Sequence, residues 1–139
     1  MAQEVLRKKL HTNDVSLMLY TRNGIADYST VGSAGKTLTL TNAIVGNGIV
    51  FTSGSMTWGV VPLTTVIYTF DSGSGVNHYA IADGVKYLNG VVDVSTFPIT
   101  VTSTGISGVT GKLHSLSIFN EVKSASYIDL DYENESKYW

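Results

Sequence analysis

The chain has 139 residues, 14 glycines, no cysteine, a charged fraction of 14% and a net charge of −2. This length makes one domain with its own core, and the lack of cysteine excludes disulfides and thiolate metal sites. There is no basic field for nucleic acid and no apolar run of the ~18 residues that a membrane helix needs, so we expect neither partner. The charged fraction, against about 25% in an average domain, indicates that part of the surface faces another protein.

The chain opens with a short basic segment. Arg7, Lys8 and Lys9 lie within residues 3–10, whose apolar spacing suits two helical turns, too few for a stable isolated helix. Their charge also interrupts any signal-peptide core, so we expect synthesis without a secretion signal. We expect an N-terminal arm over residues 1–13, a β-sandwich domain over 14–128 and an acidic C-terminal tail over 129–139.

Short β-prone runs separated by turn residues fill the middle of the chain. The predicted strands are 15–20, 37–41, 49–52, 56–61, 64–70, 78–82, 85–88, 91–94, 99–102 and 112–119. The pairs Asp83-Gly84 and Asn89-Gly90 supply the positive φ angles of two-residue hairpin turns. The pattern predicts an all-β fold, an antiparallel two-sheet β-sandwich or jelly roll with an extended N-terminal arm and C-terminal tail.

The end of the chain is acidic and finishes in two aromatic residues. Residues 124–130 predict a single helical turn, after which Asp129, Asp131, Glu133 and Glu135 alternate with other residues. Period two favours an extended edge with one acidic face. Calcium ligation by the first three carboxylates is the alternative. The closing pair, Tyr138 and Trp139, has the character of an anchor buried at a contact.

No constellation of residues predicts catalysis. The histidines, His11, His78 and His114, lie in separate segments, so a metal site would need distant ligands. The central carboxylates are Asp71, Asp83 and Asp93, and turn chemistry accounts for Asp83. We therefore expect a protein that is not an enzyme, with no cofactor and no metal.

Two segments carry a resemblance to a known fold family. Residues 82–94, with Asp83, Gly84, Tyr87, Asn89 and Gly90, and residues 111–133, with Gly111, Ile118, Phe119, Asn120 and Ser124, resemble the laminin-G/concanavalin-like sandwich. The resemblance implies a two-sheet topology over about a quarter of the chain. The long middle strands and calcium ligands of that family have no residue-by-residue match here, so no binding residues are carried over.

The whole chain is also similar in style to the capsid cement (decoration) proteins of tailed bacteriophages, which are small, cysteine-free, all-β proteins with extended termini. The resemblance implies a virion structural protein on the capsid surface, made in the host cytoplasm, that bridges neighbouring major capsid subunits or copies of itself. We expect its partner-binding residues to be Arg7, Lys8, Lys9, Asp129, Asp131, Tyr138 and Trp139. The alternative, from the laminin-G resemblance, is a carbohydrate-binding, lectin-like module of a tail fibre or receptor-binding protein.

Overall fold

The computed structural model describes residues 15–20, 38–46, 48–60 and 63–137, with the backbone alone for residues 15–20. In this part of the chain the strands are β1 (Val15–Tyr20), β2 (Thr39–Gly46), β3 (Gly48–Thr57), β4 (Thr65–Asp71), β5 (Val76–Ala82), β6 (Val85–Leu88), β7 (Val91–Val92) and β8 (Gly105–Phe119). One helix follows, α1 (Ala125–Ser136). The predicted all-β class is confirmed.

The described strands pair antiparallel in a single hydrogen-bonded sheet of order β2-β3-β8-β4-β5-β6-β7, with β1 also pairing with β8. Strand β8 organises this sheet because it is 15 residues long. Its first half pairs with β3 and its second half pairs with β1, while β4 lies along its other edge. A single long strand thus joins the two halves of the sheet.

Strand β8 has a glycine where it meets the start of the β4 ladder. Gly111 has a φ of +142°, and a Cβ at this position would lie 2.7 Å from the carbonyl oxygen of Asp71 and collide with the ring of Phe70. Only glycine permits this approach of backbone to ring. The close fit lets β8 run directly beside the end of β4 in the sheet.

The main core covers one face of the sheet. Its largest fully buried side chains are Trp58, Tyr68, Phe51 and Phe70. Residues from β3, β4, β5 and both halves of β8 meet in this cluster, together with Phe97 and Ile99 from the loop before β8. Burial of this apolar surface is the main stabilising term, at about 25 cal/mol per Å² removed from water.

Helix α1 covers the opposite face. Its underlying cluster consists of Ile67, Ala80, Ala82, Phe119 and Ile128. Strand β4 is consequently buried on both faces from Thr65 to Phe70. This explains why its sequence, TVIYTF, reads as a continuous apolar and β-branched run.

The loop that leads into α1 is held by a threonine. The hydroxyl of Thr65 donates to the carbonyl of Glu121 at 2.7 Å and accepts from the amide of Lys123 at 3.0 Å. The helix then begins at its N-cap, Ser124, whose side chain accepts from the amide of Tyr127. The described helix is too short and too polar to span a bilayer.

The prediction of an extended acidic tail over residues 129–139 is wrong for the described residues of that segment. Helix α1 continues past the predicted turn at 124–130 and ends at Ser136. Alternation of acidic residues suggested an edge strand. On a helix, however, Asp131 and Glu135 lie one turn apart on one face, and both are buried.

The hairpin predictions are confirmed at both turns. Asp83 and Asn89 have φ of 50°, followed by positive-φ Gly84 and Gly90. The predicted strand 99–102 is wrong. The main chain of Ile99 accepts instead from the hydroxyl of Tyr68 at 3.2 Å, outside any ladder. The predicted strand 56–61 is also wrong in extent, because β3 ends at Thr57.

Candidate functional site

A buried polar cluster lies between α1 and the sheet. It combines side chains from β4, β5, β8 and α1, each at most 1% exposed: Thr69, His78, Ser115, Asp131 and Glu135. Buried ionisable groups are costly unless they are hydrogen-bonded. The partners of each group therefore decide what the cluster does.

His78 and Asp131 form the tightest contact of this cluster. The Nε2 atom of His78 lies 2.7 Å from Oδ2 of Asp131, and the exposed fractions of the two side chains are 0% and 1%. An ionised carboxylate only accepts, so Nε2 carries the proton. The ring also makes an edge contact with Tyr132, at 5.7 Å between centroids.

The other ring nitrogen of His78, Nδ1, has no hydrogen-bond partner among the residues that the structure describes. With Nε2 protonated and donating, Nδ1 of a neutral ring is a bare acceptor. An unmatched buried nitrogen costs free energy, so the contact with Asp131 has to outweigh that cost. Loss of the contact between His78 and Asp131 should therefore lower the stability of the fold.

Ser115 links the second carboxylate to the sheet. Its hydroxyl donates to Oε1 of Glu135 at 3.0 Å and lies 2.7 Å from the hydroxyl of Thr69. Because the single hydroxyl hydrogen of Ser115 goes to Glu135, Thr69 donates to Ser115. The chain Thr69–Ser115–Glu135 thus fixes the last turn of α1 to β4 and β8.

The cluster also reaches the second hairpin. The amide of His78 donates to Oδ1 of Asn89 at 2.8 Å, and the amide of Asn89 donates back to the carbonyl of His78 at 2.8 Å. The Asn89 side chain further donates to Oδ1 of Asn77 at 3.0 Å. The turn residue that begins the path to β7 is therefore tied to the strand that carries His78.

We call the hydrogen bonds of His78 to Asp131, of Ser115 to Glu135 and of Asn89 to His78 the clamp. The polar cluster is closed from solvent. Apart from the bond between Thr69 and Ser115 within the sheet, the hydrogen bonds described above connect α1 or the hairpin to the sheet. Such a network specifies one docking position for the helix more strongly than an apolar contact of the same size. Chemically, the clamp holds the Nε2 proton of His78 and the carboxylates of Asp131 and Glu135 at fixed positions beneath α1.

The exposed surface has an apolar patch at each end of the strand order. At the β2–β3 hairpin Ile44 is 74% exposed and lies directly opposite exposed Val50, while Val45 is partly exposed on the other face. At the β7 end Val94 is 95% exposed, and Val91 and Val92 are exposed on opposite faces of the last strand. Clustered exposed side chains of this kind mark interaction sites.

Of the predicted partner-binding residues, two lie in the described region. Asp129 is exposed on α1, and Asp131 is buried against His78. The prediction that Asp131 faces a partner is therefore wrong, because its carboxylate points into the sheet. The other predicted residues, Arg7, Lys8, Lys9, Tyr138 and Trp139, lie outside the described residues.

The predicted central carboxylates each serve a turn or loop. The amides of Gly73 and Gly75 donate to Asp71 and hold the pKa of its carboxyl below the usual range. Hydrogen bonds from the side chain and amide of Ser95 lower the pKa of Asp93 in the same way. Asp71 and Asp83 flank opposite ends of β5, about 23 Å apart, too far for two carboxylates to act on one bond.

Metal ligation by the C-terminal carboxylates was the other alternative. Within the described residues no group of three or more His, Asp or Glu side chains converges as metal ligands would. Asp129 and Asp131, which the alternative places together, lie on opposite faces of α1, one exposed and one buried.

A groove of about 330 Å³ lies where the loop before β8 meets β3. Hydroxyl side chains dominate its lining, including Ser55, Thr57, Thr100, Thr102 and Thr104. Neutral hydroxyls can donate and accept, so the groove suits an uncharged polar ligand.

Sequence reasoning missed Thr69, His78, Ser115 and Glu135. The available signal was the spacing of Asp131 and Glu135, which is one helical turn and places both on the face of Ile128. The partners of these two residues lie 53 and 20 positions away in the chain, which no local pattern records.

No family model, curated protein or solved structure matches this chain.

Proposed function

We propose that the protein is a non-enzymatic structural component of a virion, a capsid cement or decoration protein that bridges neighbouring major capsid subunits. The observation that carries the proposal is the pair of exposed apolar patches at the two ends of the strand order. Ile44 marks one end and Val92 and Val94 mark the other. A bridging protein needs two separate contact surfaces on one stiff body.

The clamp supplies the stiffness in this proposal. Helix α1 is fixed by the His78–Asp131 and Ser115–Glu135 contacts, and the hairpin that leads to β7 is fixed by Asn89. Force applied at the β7 end therefore passes into the sheet through hydrogen bonds and not through a flexible loop. We include in the proposal that β8 bends the sheet into the two layers of a sandwich or jelly roll. In support, β3 and β4 pair with different halves of β8, yet both contribute to the main core.

The test is co-sedimentation with tailed-phage shells that lack their own cement protein. The variants Ile44→Lys and Val92→Lys place a charge in one patch each, and we expect either to lower occupancy of the shell at least tenfold. Val122→Lys is the matched control, since Val122 is 54% exposed in the loop before α1, outside both patches. Binding that is unchanged in both patch variants contradicts the proposal.

The second candidate is a carbohydrate-binding module, favoured by the hydroxyl-lined groove. Neutral sugar hydroxyls would exchange hydrogen bonds with Thr57 and Thr100, whereas the hydroxyl of Thr102 is used within the turn before β8. A glycan array with the double variant Thr57→Val and Thr100→Val, which leaves the hydrogen bonds of the turn intact, separates the candidates. Saturable binding of one glycan that the variant loses favours the carbohydrate module, and no binding to any glycan rejects it.

A further inference from the structure

The second hairpin turn carries a chemically labile pair of residues. Asn89 and Gly90 lie between β6 and β7, both at positive φ, 50° and 82°. Glycine has no side chain to shield its amide nitrogen, so this nitrogen can attack the side-chain amide of the asparagine before it. Asparagine is among the thermolabile residues of proteins. The contacts of the Asn89 side chain therefore decide whether it stays an asparagine.

The reaction is an intramolecular displacement. The amide nitrogen of Gly90 attacks Cγ of Asn89, and a succinimide ring closes as the new N–Cγ bond forms. The Cγ–Nδ2 bond breaks, and Nδ2 leaves as ammonia with the proton of the Gly90 amide. Water then opens the ring at either carbonyl, which leaves aspartate or isoaspartate in place of Asn89. The first step requires the side chain to rotate until Cγ is in contact with the Gly90 nitrogen.

Both polar atoms of the Asn89 side chain are engaged with β5. Its Oδ1 atom accepts from the amide of His78 at 2.8 Å, and its Nδ2 atom donates to Oδ1 of Asn77 at 3.0 Å. Asn77 is itself oriented, since its Nδ2 atom donates to the hydroxyl of Tyr79 at 3.5 Å. Asn89 is also half-buried. These bonds fix the side-chain amide towards β5, so its rotation onto the Gly90 nitrogen requires them to break.

We propose that Asn89 is a deamidation site that the fold keeps closed until the β6–β7 hairpin separates from β5. While Asn77 and the amide of His78 hold the side chain, the reaction is slow. Once they release it, the reaction needs only water, which the solvent supplies. Asn77 is the positioning residue of this site, because its Oδ1 atom accepts from the nitrogen that leaves. The inference goes beyond the proposed function and needs no capsid partner.

The products of the reaction prevent the hairpin from returning to β5. An aspartate in place of Asn89 has no donor for Oδ1 of Asn77, so two acceptor oxygens face each other. Isoaspartate adds one carbon to the main chain of a two-residue turn, so the pairing of this residue with His78 loses its register. Either product also adds a negative charge to a turn that lies against Asp129, since a Cβ at Gly90 would be 2.6 Å from Oδ1 of Asp129.

The experiment is peptide mass spectrometry of the purified full-length chain, aged at mildly alkaline pH either in buffer or in guanidinium chloride. Trypsin cleaves after Lys86 and Lys112, and the resulting peptide 87–112 contains Asn89 as its only asparagine. We expect Asn89 to deamidate at least tenfold more slowly in buffer than in the denaturant. The substitution Asn77→Ala should raise the rate in buffer at least fivefold, because Nδ2 of Asn89 then loses its acceptor.

Two control variants separate the local contact from overall stability. Asn77→Asp keeps an acceptor oxygen for Nδ2 of Asn89 and should leave the rate close to that of the wild type. Gly54→Ala strains β3, where the added Cβ would lie 2.5–2.6 Å from two carbonyl oxygens, and should lower stability without raising the rate at Asn89.

Circular dichroism checks that each variant is folded. Asn77→Leu, which has a similar shape and no acceptor, replaces the alanine variant if that one unfolds. Equal rates in buffer and in denaturant, or a rate in Asn77→Ala equal to that of the wild type, overturns the proposal. Equal acceleration by Asn77→Ala and Gly54→Ala also overturns it, because overall unfolding would then control the reaction.

Discussion

The contact between His78 and Asp131 offers a quantitative test of the clamp. The substitution Asp131→Ala removes the carboxylate that lies 2.7 Å from Nε2 of His78. Within the described part of the chain, the histidine, 0% exposed, then retains no hydrogen-bond partner on either ring nitrogen, since Nδ1 has none there. A buried imidazole with two unmatched nitrogens is the expected state of the variant.

The magnitude follows from the burial of the pair. Removing one partner of a buried hydrogen bond costs about 1–3 kcal/mol, most of it the desolvation penalty of the polar group left behind. The free energy of unfolding of a whole domain is only about 5–15 kcal/mol. We therefore expect Asp131→Ala to remove a large share of the stability. With a urea slope of about 2 kcal/mol per molar, the midpoint should fall by roughly 0.5–1.5 M.

The assay is urea unfolding followed by circular dichroism at neutral pH. Asp129→Ala is the matched control, because it removes a carboxylate two positions away that is exposed, and its effect should stay within about 0.5 kcal/mol. The double variant His78→Phe with Asp131→Leu should cost less than Asp131→Ala alone, since no polar group is then left unmatched. Equal midpoints for Asp131→Ala and Asp129→Ala would refute the reasoning.

Three further predictions concern the sheet and its turns. Gly54→Ala should destabilise the fold by about 1–3 kcal/mol in urea titration, because its Cβ would lie 2.5–2.6 Å from two carbonyl oxygens of β2. The control Gly46→Ala has open space around the added Cβ and should leave the free energy of unfolding nearly unchanged. The folded pKa of Asp71 is lowered, so the stabilisation from its carboxylate is present above the unfolded pKa near 4 and is lost as pH falls through the folded pKa. The substitution Asp71→Ala should therefore flatten the acid side of the plot of stability against pH. An unchanged acid side contradicts the assignment. Burial raises the pKa of Tyr68, so the contribution of this residue to folding stability should be complete below pH ~10 and fall above it. In an alkaline titration, Tyr68→Phe should lack this fall in stability. A titration identical to that of the wild type would count against the buried hydroxyl.

The hairpins of the second half were predictable because their information is local. Asp83-Gly84 and Asn89-Gly90 set both turns through backbone preference alone, and the strands between them follow at the predicted positions. Strand β8 was predicted only from residue 112. Its first half contains Gly108 and Gly111, which reduce strand propensity, and it is a strand because β3 pairs with it.

The candidate site depended on information that is not local. Helix α1 buries two carboxylates where an amphipathic helix would bury apolar side chains, so its sequence lacks the apolar stripe that identifies a helix. The acids are accommodated because β5 and β8 present His78 and Ser115 at the matching positions. Only the tertiary arrangement brings these partners together, and the alternation of acids was therefore misread as an extended edge.

The most direct test of the bridging account is a cryo-EM reconstruction of tailed-phage shells decorated with the purified chain. The account predicts density at subunit boundaries, with the β2–β3 hairpin around Ile44 on one major capsid subunit and the β7 end around Val94 on its neighbour. Density in which both ends rest on the same subunit, or shells that carry no copy of the chain at saturating concentration, would contradict it.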